Sequence, residues 1–146
     1  MTSAFKRQLI VALAVLAIGS ISFILFAANQ ADDSTKNRNR LYQNLIERSG
    51  ILNRDLPKLL DSQTRFERAE VMNYGMRFVY TLVAVNRYQH DVEQLREQLQ
   101  PSMLKAYCSA DSLRFYRERA EFLVIRYLDQ NDALLFELRF EAQNCG

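Results

Sequence analysis

The chain has 146 residues, with 19 Lys and Arg, 17 Asp and Glu, and a hydrophobic content of 49%. Lys6 and Arg7 are the charged residues of the first 31 positions, so the rest of the chain carries 17 basic and 17 acidic residues. This neutral balance excludes a typical nucleic-acid-binding protein, which needs a basic surface. The length beyond the N-terminal region corresponds to one domain.

The N-terminal region contains a long apolar segment. Residues 9–28 read LIVALAVLAIGSISFILFAA, without a charge, and about 20 such residues are needed to cross a hydrocarbon core of about 30 Å. Lys6 and Arg7 precede the segment with no acidic residue, which favours a cytoplasmic N-terminus. A cleaved signal peptide is the alternative, although its apolar run is usually about 7 to 15 residues. We predict a cytoplasmic tip and transmembrane signal anchor in residues 1–28, with the lipid bilayer contacted through residues 9–28.

The next segment, residues 29–55, is predicted to be a linker followed by a juxtamembrane helix. Residues 29–38 are polar, and a helical apolar stripe then follows until Ser49 and Gly50 end it, giving a helix at about 35–49. The stripe consists of Leu41, Tyr42, Leu45 and Ile46. Docking of this stripe on its own domain is the favoured interpretation, and the alternative is an interaction surface for a partner.

The first part of the following region alternates with a period of two residues. Ser62, Thr64 and Phe66 alternate with Gln63, Arg65 and Glu67. The sequence Asn73-Tyr74-Gly75 then offers a turn, and residues 76–85 are rich in β-branched and aromatic side chains. These features predict two strands joined as a hairpin.

The second part returns to helical spacing and then to strands. Asp91 is placed to cap a helix that Pro101 bends or restarts, and a short helix is expected at 113–118. Residues 121–128 and 133–142 flank a turn and predict a second hairpin. In the last strand, we expect Leu134, Phe136, Leu138 and Phe140 to face the core, with Leu135, Glu137, Arg139 and Glu141 on the opposite face.

The order of elements predicts an α+β fold: an N-terminal transmembrane helix and then a small domain of residues 56–146. The order strand, strand, helices, strand, strand favours a four-stranded antiparallel sheet with helices packed on one face, because neither hairpin can bury a face alone.

The two cysteines are Cys108 and Cys145, the latter next to the last residue. Outside the cytoplasm, a lone pair is most simply one disulfide. The bond would close a loop of about 38 residues and stabilise the fold by up to roughly 4 kcal/mol. A redox role is the alternative, but the sequence has no C-x-x-C pair.

Three segments together resemble a known group. They are LPKLLDSQTRFERAEVMNYGMRFVYTLVAVN, LQPSMLKAYC and YLDQNDALLFELRFEAQNC. This sequence is similar to a widespread family of small uncharacterised bacterial envelope proteins, which have an LP start, a hydrophobic-Asp-Ser-x-Thr-Arg strand, a tyrosine-rich second strand and a C-terminal cysteine pair. The resemblance covers residues 56–145 and implies a shared fold and disulfide, but no activity. Asp132 stands where that family has a hairpin glycine.

No residue pattern predicts a catalytic, cofactor or metal site. His90 lies beside Asp91 at a helix start, without a nucleophile or metal partners in the pattern. Asp61 and Ser62 fall on opposite faces of an alternating strand, so a structural role, such as Asp61 capping a turn or pairing with Arg65, is favoured over a site.

We therefore predict a non-enzymatic, single-pass bacterial inner-membrane protein with its N-terminus in the cytoplasm and its C-terminal domain in the periplasm. Its expected function is that of an accessory or assembly subunit of an envelope protein complex, with a membrane or periplasmic protein as partner and no nucleic acid. The alternative is a tethered periplasmic inhibitor or ligand-binding domain.

Overall fold

The computed structural model describes residues 37–146, and residues 40–146 form one compact unit. The described helices and strands follow in chain order: α1 (residues 37–53), β1 (Lys58–Leu59), β2 (Thr64–Met72), β3 (Gly75–Leu82), α2 (Val92–Ser109), α3 (Arg114–Glu118), β4 (Leu123–Leu128) and β5 (Leu134–Phe140). Two short 3₁₀ turns, Asp111–Leu113 and Ala142–Cys145, complete the order.

The strands form one mixed sheet in the order β1-β2-β3-β4-β5. β3 and β4 are parallel, and the other neighbours are antiparallel. The predicted α+β class is correct, but the predicted four-stranded antiparallel sheet is wrong. The connection between β3 and β4 contains α2 and α3, and a crossover of this length returns the chain to the end of the sheet where β3 began. The strand that the prediction did not include is β1, which has only two residues.

The predicted transmembrane segment, residues 9–28, lies outside the described residues. Within residues 37–146, no helix is long and apolar enough to cross a membrane.

Helix α1 packs against the sheet through both apolar and polar contacts. Leu45 is fully buried in the core, and Arg48 stacks on the Phe115 ring of α3 at 3.8 Å. Ser49 is buried and donates a hydrogen bond to the Ala69 carbonyl at 2.7 Å. The predicted stop at Ser49 and Gly50 does not occur, and the helix continues to residue 53.

Asn53, at the end of α1, covers part of the edge of β2. Its side chain donates to the Ala69 carbonyl and accepts from the Ala69 amide, both at 2.8 Å. Strand β1 pairs with β2 only as far as Phe66. Ala69 lies further along β2, after a β-bulge between Phe66 and Arg68. Asn53 therefore supplies the hydrogen bonds that a longer β1 would have made.

The helix-covered face of the sheet carries a row of aromatic rings. Phe66, Tyr80, Tyr127 and Phe136 lie opposite one another on β2, β3, β4 and β5. Their successive ring centroids are 4.7, 5.8 and 5.0 Å apart. Such cross-strand pairs stabilise a sheet and fix its register. The row thus joins the parallel and antiparallel parts of the sheet into one core.

Helix α2 continues through Pro101, so the predicted restart does not occur, and the predicted bend at this residue stays a prediction. Pro101 and Glu97 are both exposed, and water can therefore hydrate the carbonyl that loses its helical partner. The predicted cap is confirmed, because the Asp91 carboxylate accepts from the amides of Glu93 and Gln94.

The start of β5 differs from its predicted alternation. Leu134 is 45% exposed and Leu135 is buried, the reverse of the prediction. A register shift beside Tyr127 and Leu128 inserts one residue into the strand and moves Leu134 off the core face. From Phe136 to Phe140 the predicted alternation is confirmed.

The predicted disulfide is confirmed. Cys108 in α2 and Cys145 in the final 3₁₀ turn are bonded, with Cα atoms 5.4 Å apart. The bond ties the segment after β5 to the helix that packs on the sheet.

Candidate interaction surface

The three polar residues considered from the sequence do not come together as a site. Asp61 accepts hydrogen bonds from the amides of Gln63 and Thr64 at 2.7 and 2.8 Å, so it caps the turn before β2 as expected. Ser62 is exposed on the same turn. His90 is exposed as well, and its Nδ1 atom lies 3.0 Å from the Asn86 carbonyl oxygen, so the ring is part of a local turn.

The buried tyrosines are unsuited to proton transfer near neutral pH. Burial raises the pKa of Tyr127 to about 12, and it also raises the pKa of Tyr80, Tyr107 and Tyr116. Their phenols therefore remain protonated and serve as core side chains. Within residues 37–146, no cluster of three or more His, Cys, Asp or Glu side chains could hold a metal ion.

The face of the sheet opposite the aromatic row, called the open face, carries ion pairs between charged side chains. Glu70 forms ion pairs with Arg77 and with Arg68, the latter at 2.6 Å, and Glu137 pairs with Arg126 at 2.6 Å. Burial raises the pKa of Glu70, but the hydrogen bonds from Arg68 and Arg77 outweigh this effect and hold its pKa below the ordinary value. Because these charges already satisfy one another, the face offers little unpaired charge to a ligand.

The four residues of the predicted apolar stripe have different environments on α1. Leu45 is fully buried and Leu41 is half-buried in the core. Tyr42 and Ile46 remain 40% and 44% exposed. The role of the stripe in partner binding stays a prediction, and the two exposed residues are those that a partner could contact.

Tyr42 and Ile46 are one helical turn apart and form an exposed apolar pair, the α1 patch. Ser49 and Asn53 follow at the spacing that continues the same flank of the helix, and both bond to Ala69 of β2. Polar contacts therefore fix the rotation of α1 beside the patch. Ile51, also exposed at 49%, is nine positions after Tyr42 and lies on the opposite side of the helix.

The sequence reasoning missed two features near this helix. Asn53 was not recognised as a cover for the β2 edge, because its partner is a main-chain group that becomes a neighbour only in the folded chain. Leu59 and Leu60, in and after β1, are 60% and 55% exposed. The exposure of these two leucines could have been expected from the LPKLL segment, because its apolar residues do not belong to an amphipathic pattern.

Comparisons with known proteins give structural matches only. No family model and no curated protein matches the chain. A protein from Pseudomonas aeruginosa, described as secreted, has a TM-score of 0.65 at 13% identity, covering 75% of this chain and 96% of that one.

Two pilotins have similar folds. The pilotin EpsS of the Vibrio vulnificus type 2 secretion system has a TM-score of 0.61 at 14% identity, covering 77% of this chain and 97% of its own. The type II secretion system pilotin AspS of Vibrio cholerae has a TM-score of 0.62 at 14% identity, covering 77% of this chain and 98% of its own. At these identities, the likeness establishes a shared fold.

The predicted localisation is corrected by these findings. The part of the chain that the structure describes has no helix that could span a membrane, and the similar structures are a secreted protein and two pilotins. The single-pass inner-membrane prediction is therefore wrong.

Proposed function

We propose that this protein is a non-catalytic accessory protein that assists the assembly of a bacterial envelope secretion complex, in the manner of a pilotin. The observation that carries the proposal is the match of nearly the entire length of EpsS and AspS to this fold, 97% and 98% of each. The match includes the sheet and its helices rather than a single shared motif.

Two features of the chain support a role through binding. The Cys108–Cys145 disulfide fits a protein that works in an oxidising compartment such as the bacterial envelope. Two of the three polar residues considered as catalytic candidates have structural hydrogen bonds instead: Asp61 in its turn and His90 with Asn86.

The α1 patch is the contact that we assign to a protein subunit of the complex. Tyr42 and Ile46 present apolar surface on a helix whose position is fixed by Leu45 in the core and by Ser49 on β2. A rigid, exposed apolar pair costs little conformational entropy when a partner covers it. An apolar surface of the partner is therefore the complementary chemistry.

Cross-linking in the source bacterium tests this assignment. The full chain is expressed with Tyr42→Glu and Ile46→Glu together, cross-linked in cells, and its cross-links to envelope secretion proteins are quantified by mass spectrometry. We expect these cross-links to fall at least about tenfold, because two carboxylates would be desolvated at the contact.

The control is Ile51→Glu, which places a single carboxylate at an exposed apolar position on the opposite side of α1. This variant should retain the cross-links of the wild type. Equal cross-linking of the patch variant and the wild type, with both folded, would refute the assignment of the surface. Absence of any secretion protein among the wild-type cross-links would refute the proposed function.

A further inference from the structure

Strand β5 is an edge of the sheet, and no strand within residues 37–146 pairs with its outer side. In the described part of the chain, the sheet ends at β5, and the seven residues of this strand pair only with β4. A free strand of this length presents main-chain amides and carbonyls that can accept another strand. The opposite edge differs, because β1 and Asn53 cover it.

The hydrogen bonds between β3 and β4 determine which groups of β5 face outward. The Met76 amide donates to the Phe122 carbonyl at 3.2 Å, and Met76 lies opposite Leu123. In a parallel ladder of this register, the main chains of alternate β4 residues, Phe122 and Val124 among them, face β3. The main chains of Leu123, Ile125 and Tyr127 therefore face β5.

The same alternation applies to β5. The β4 residues that face it lie opposite Phe140, Leu138 and Phe136, whose main chains consequently bond to β4. The amides and carbonyls of Glu137 and Arg139 must then face away from the sheet. Their side chains are exposed, at 39% and 52%.

We propose that a second copy of this chain pairs with the open edge, β5 against β5 in antiparallel orientation with Leu138 at the twofold axis. In this register, the outward main-chain groups of Glu137 meet those of the second copy's Arg139 and exchange two hydrogen bonds. Phe136 lies opposite the second copy's Phe140, so the apolar face also continues across the junction. The product is a closed dimer with one continuous sheet of ten strands.

Charge complementarity selects both the occupant and the register. With Leu138 at the axis, each Glu137 lies opposite an Arg139, twice by symmetry, and opposite charges in cross-strand pairs are stabilising. Because outward groups alternate, the neighbouring registers differ by two residues. One places Glu137 opposite Glu137, and the other places Arg139 opposite Arg139, which like-charge repulsion disfavours.

The existing contacts of these charges permit the pairing. Glu137 pairs with Arg126 and Arg139 with Glu141, at 2.6 and 2.9 Å, and both pairs lie on the open face, where a further opposite charge extends the network. Charged edges oppose unspecific strand pairing. The association stops at two copies, because β5 pairs with β5 across a twofold axis and neither copy then has a free β5 edge. Dimerisation through β5 requires no secretion partner.

Hydrogen exchange on the full chain tests the pairing without a substitution. We expect the amides of Glu137 and Arg139 to exchange rapidly at low protein concentration and to become protected as concentration rises. The amides of Leu138 and Phe140, which bond to β4, should be protected throughout and serve as internal controls. Equal exchange of Glu137 and Arg139 at both concentrations would overturn the proposal.

Charge reversal supplies a second test by sedimentation. Glu137→Arg places two arginines opposite each other at both symmetric positions, and Arg139→Glu places two glutamates there. The dimer affinity of each variant alone should be at least about tenfold lower than that of the wild type. A mixture of the two should regain dimerisation as a heterodimer, because every arginine then faces a glutamate, and only folded chains can give this rescue. A mixture that stays monomeric, or single variants that associate like the wild type, would contradict the pairing.

Discussion

The two edges of the sheet are finished in different ways. On one side, β1 pairs with the start of β2, and Asn53 then bonds to both main-chain groups of Ala69. On the other side, no strand within residues 37–146 pairs with the outer edge of β5. Strand β5 is instead followed by a turn that the Cys108–Cys145 bond ties to α2.

The difference separates two requirements that an edge strand must meet, stability and protection. Asn53 meets both at β2, because its amide occupies the main-chain groups that would otherwise be free. The disulfide stabilises the end of β5 but leaves its outer main-chain groups unoccupied. A covalent tie can therefore hold an edge strand in place while keeping it available for pairing.

The largest expected effect comes from removing the disulfide on the β5 side. Cys108→Ser and Cys145→Ser should lower the free energy of unfolding by similar amounts, up to about 4 kcal/mol, because the unfolded chain regains the entropy of a long loop. Urea unfolding of each variant measures this loss.

The double variant supplies the control for that experiment. Because both single changes remove the same bond, the double variant should be no less stable than either single variant. Wild-type protein under reducing conditions should match it. Losses that add up would mean that the two sulfur atoms contribute separately, and the tie would not be what holds the β5 end.

A smaller loss is expected on the β2 side. Asn53→Ala removes two hydrogen bonds of 2.8 Å from a partly buried main-chain unit, and we expect about 1 to 2 kcal/mol, because water can hydrate part of the exposed edge. Asn44→Ala, the same substitution at an exposed position of α1, should change the stability by less than about 0.5 kcal/mol. Equal effects of the two variants would mean that Asn53 does not cover the edge.

The smallest expected effect is the contribution of Asp129, in the turn between β4 and β5, to the pH dependence of stability. Asp129 is buried and accepts hydrogen bonds from the amides of Arg87, Asn131 and Ala133. The bond from Arg87 leads these contacts in holding the pKa of Asp129 below its ordinary value, against the opposing effect of burial.

The sign of the pH dependence follows from this lowered pKa. The stabilising contribution is complete above the ordinary carboxyl pKa of about 4 and is lost as pH falls towards the folded-state pKa. Unfolding measured from pH 6 to pH 2 should show this loss in the wild type and a flatter profile in Asp129→Asn. Parallel profiles would exclude Asp129 as a source of the acid sensitivity.

Local features of the sequence predicted much of the fold. Spacing or residue type was sufficient for the Asp91 cap, for the disulfide and for the inward side chains of Phe136, Leu138 and Phe140. The turn at Asn73 also follows, since the structure gives this residue a φ of 52°, a conformation that asparagine tolerates well. Asp132, in the turn between β4 and β5, has a φ of 62°.

The features that were missed depend on long-range pairing. Nothing in the apolar residues of β3 and β4 distinguishes a parallel neighbour from an antiparallel one, because both faces of each strand are largely covered. The bulge that reverses Leu134 and Leu135 arises from register with β4. The apolar stripe of α1 was visible as four residues, but the division into buried Leu45 and exposed Tyr42 and Ile46 depends on how the helix packs.

Secretion by the source bacterium tests the proposed accessory role most directly. The gene is deleted, and secreted proteins are measured in the medium after complementation with the wild type, with Ile51→Glu, or with Tyr42→Glu and Ile46→Glu together. We expect deletion to reduce secretion, the wild type and Ile51→Glu to restore it, and the patch variant to fail although it accumulates to the same level. Normal secretion in the deletion strain, or full restoration by the patch variant, would contradict the role.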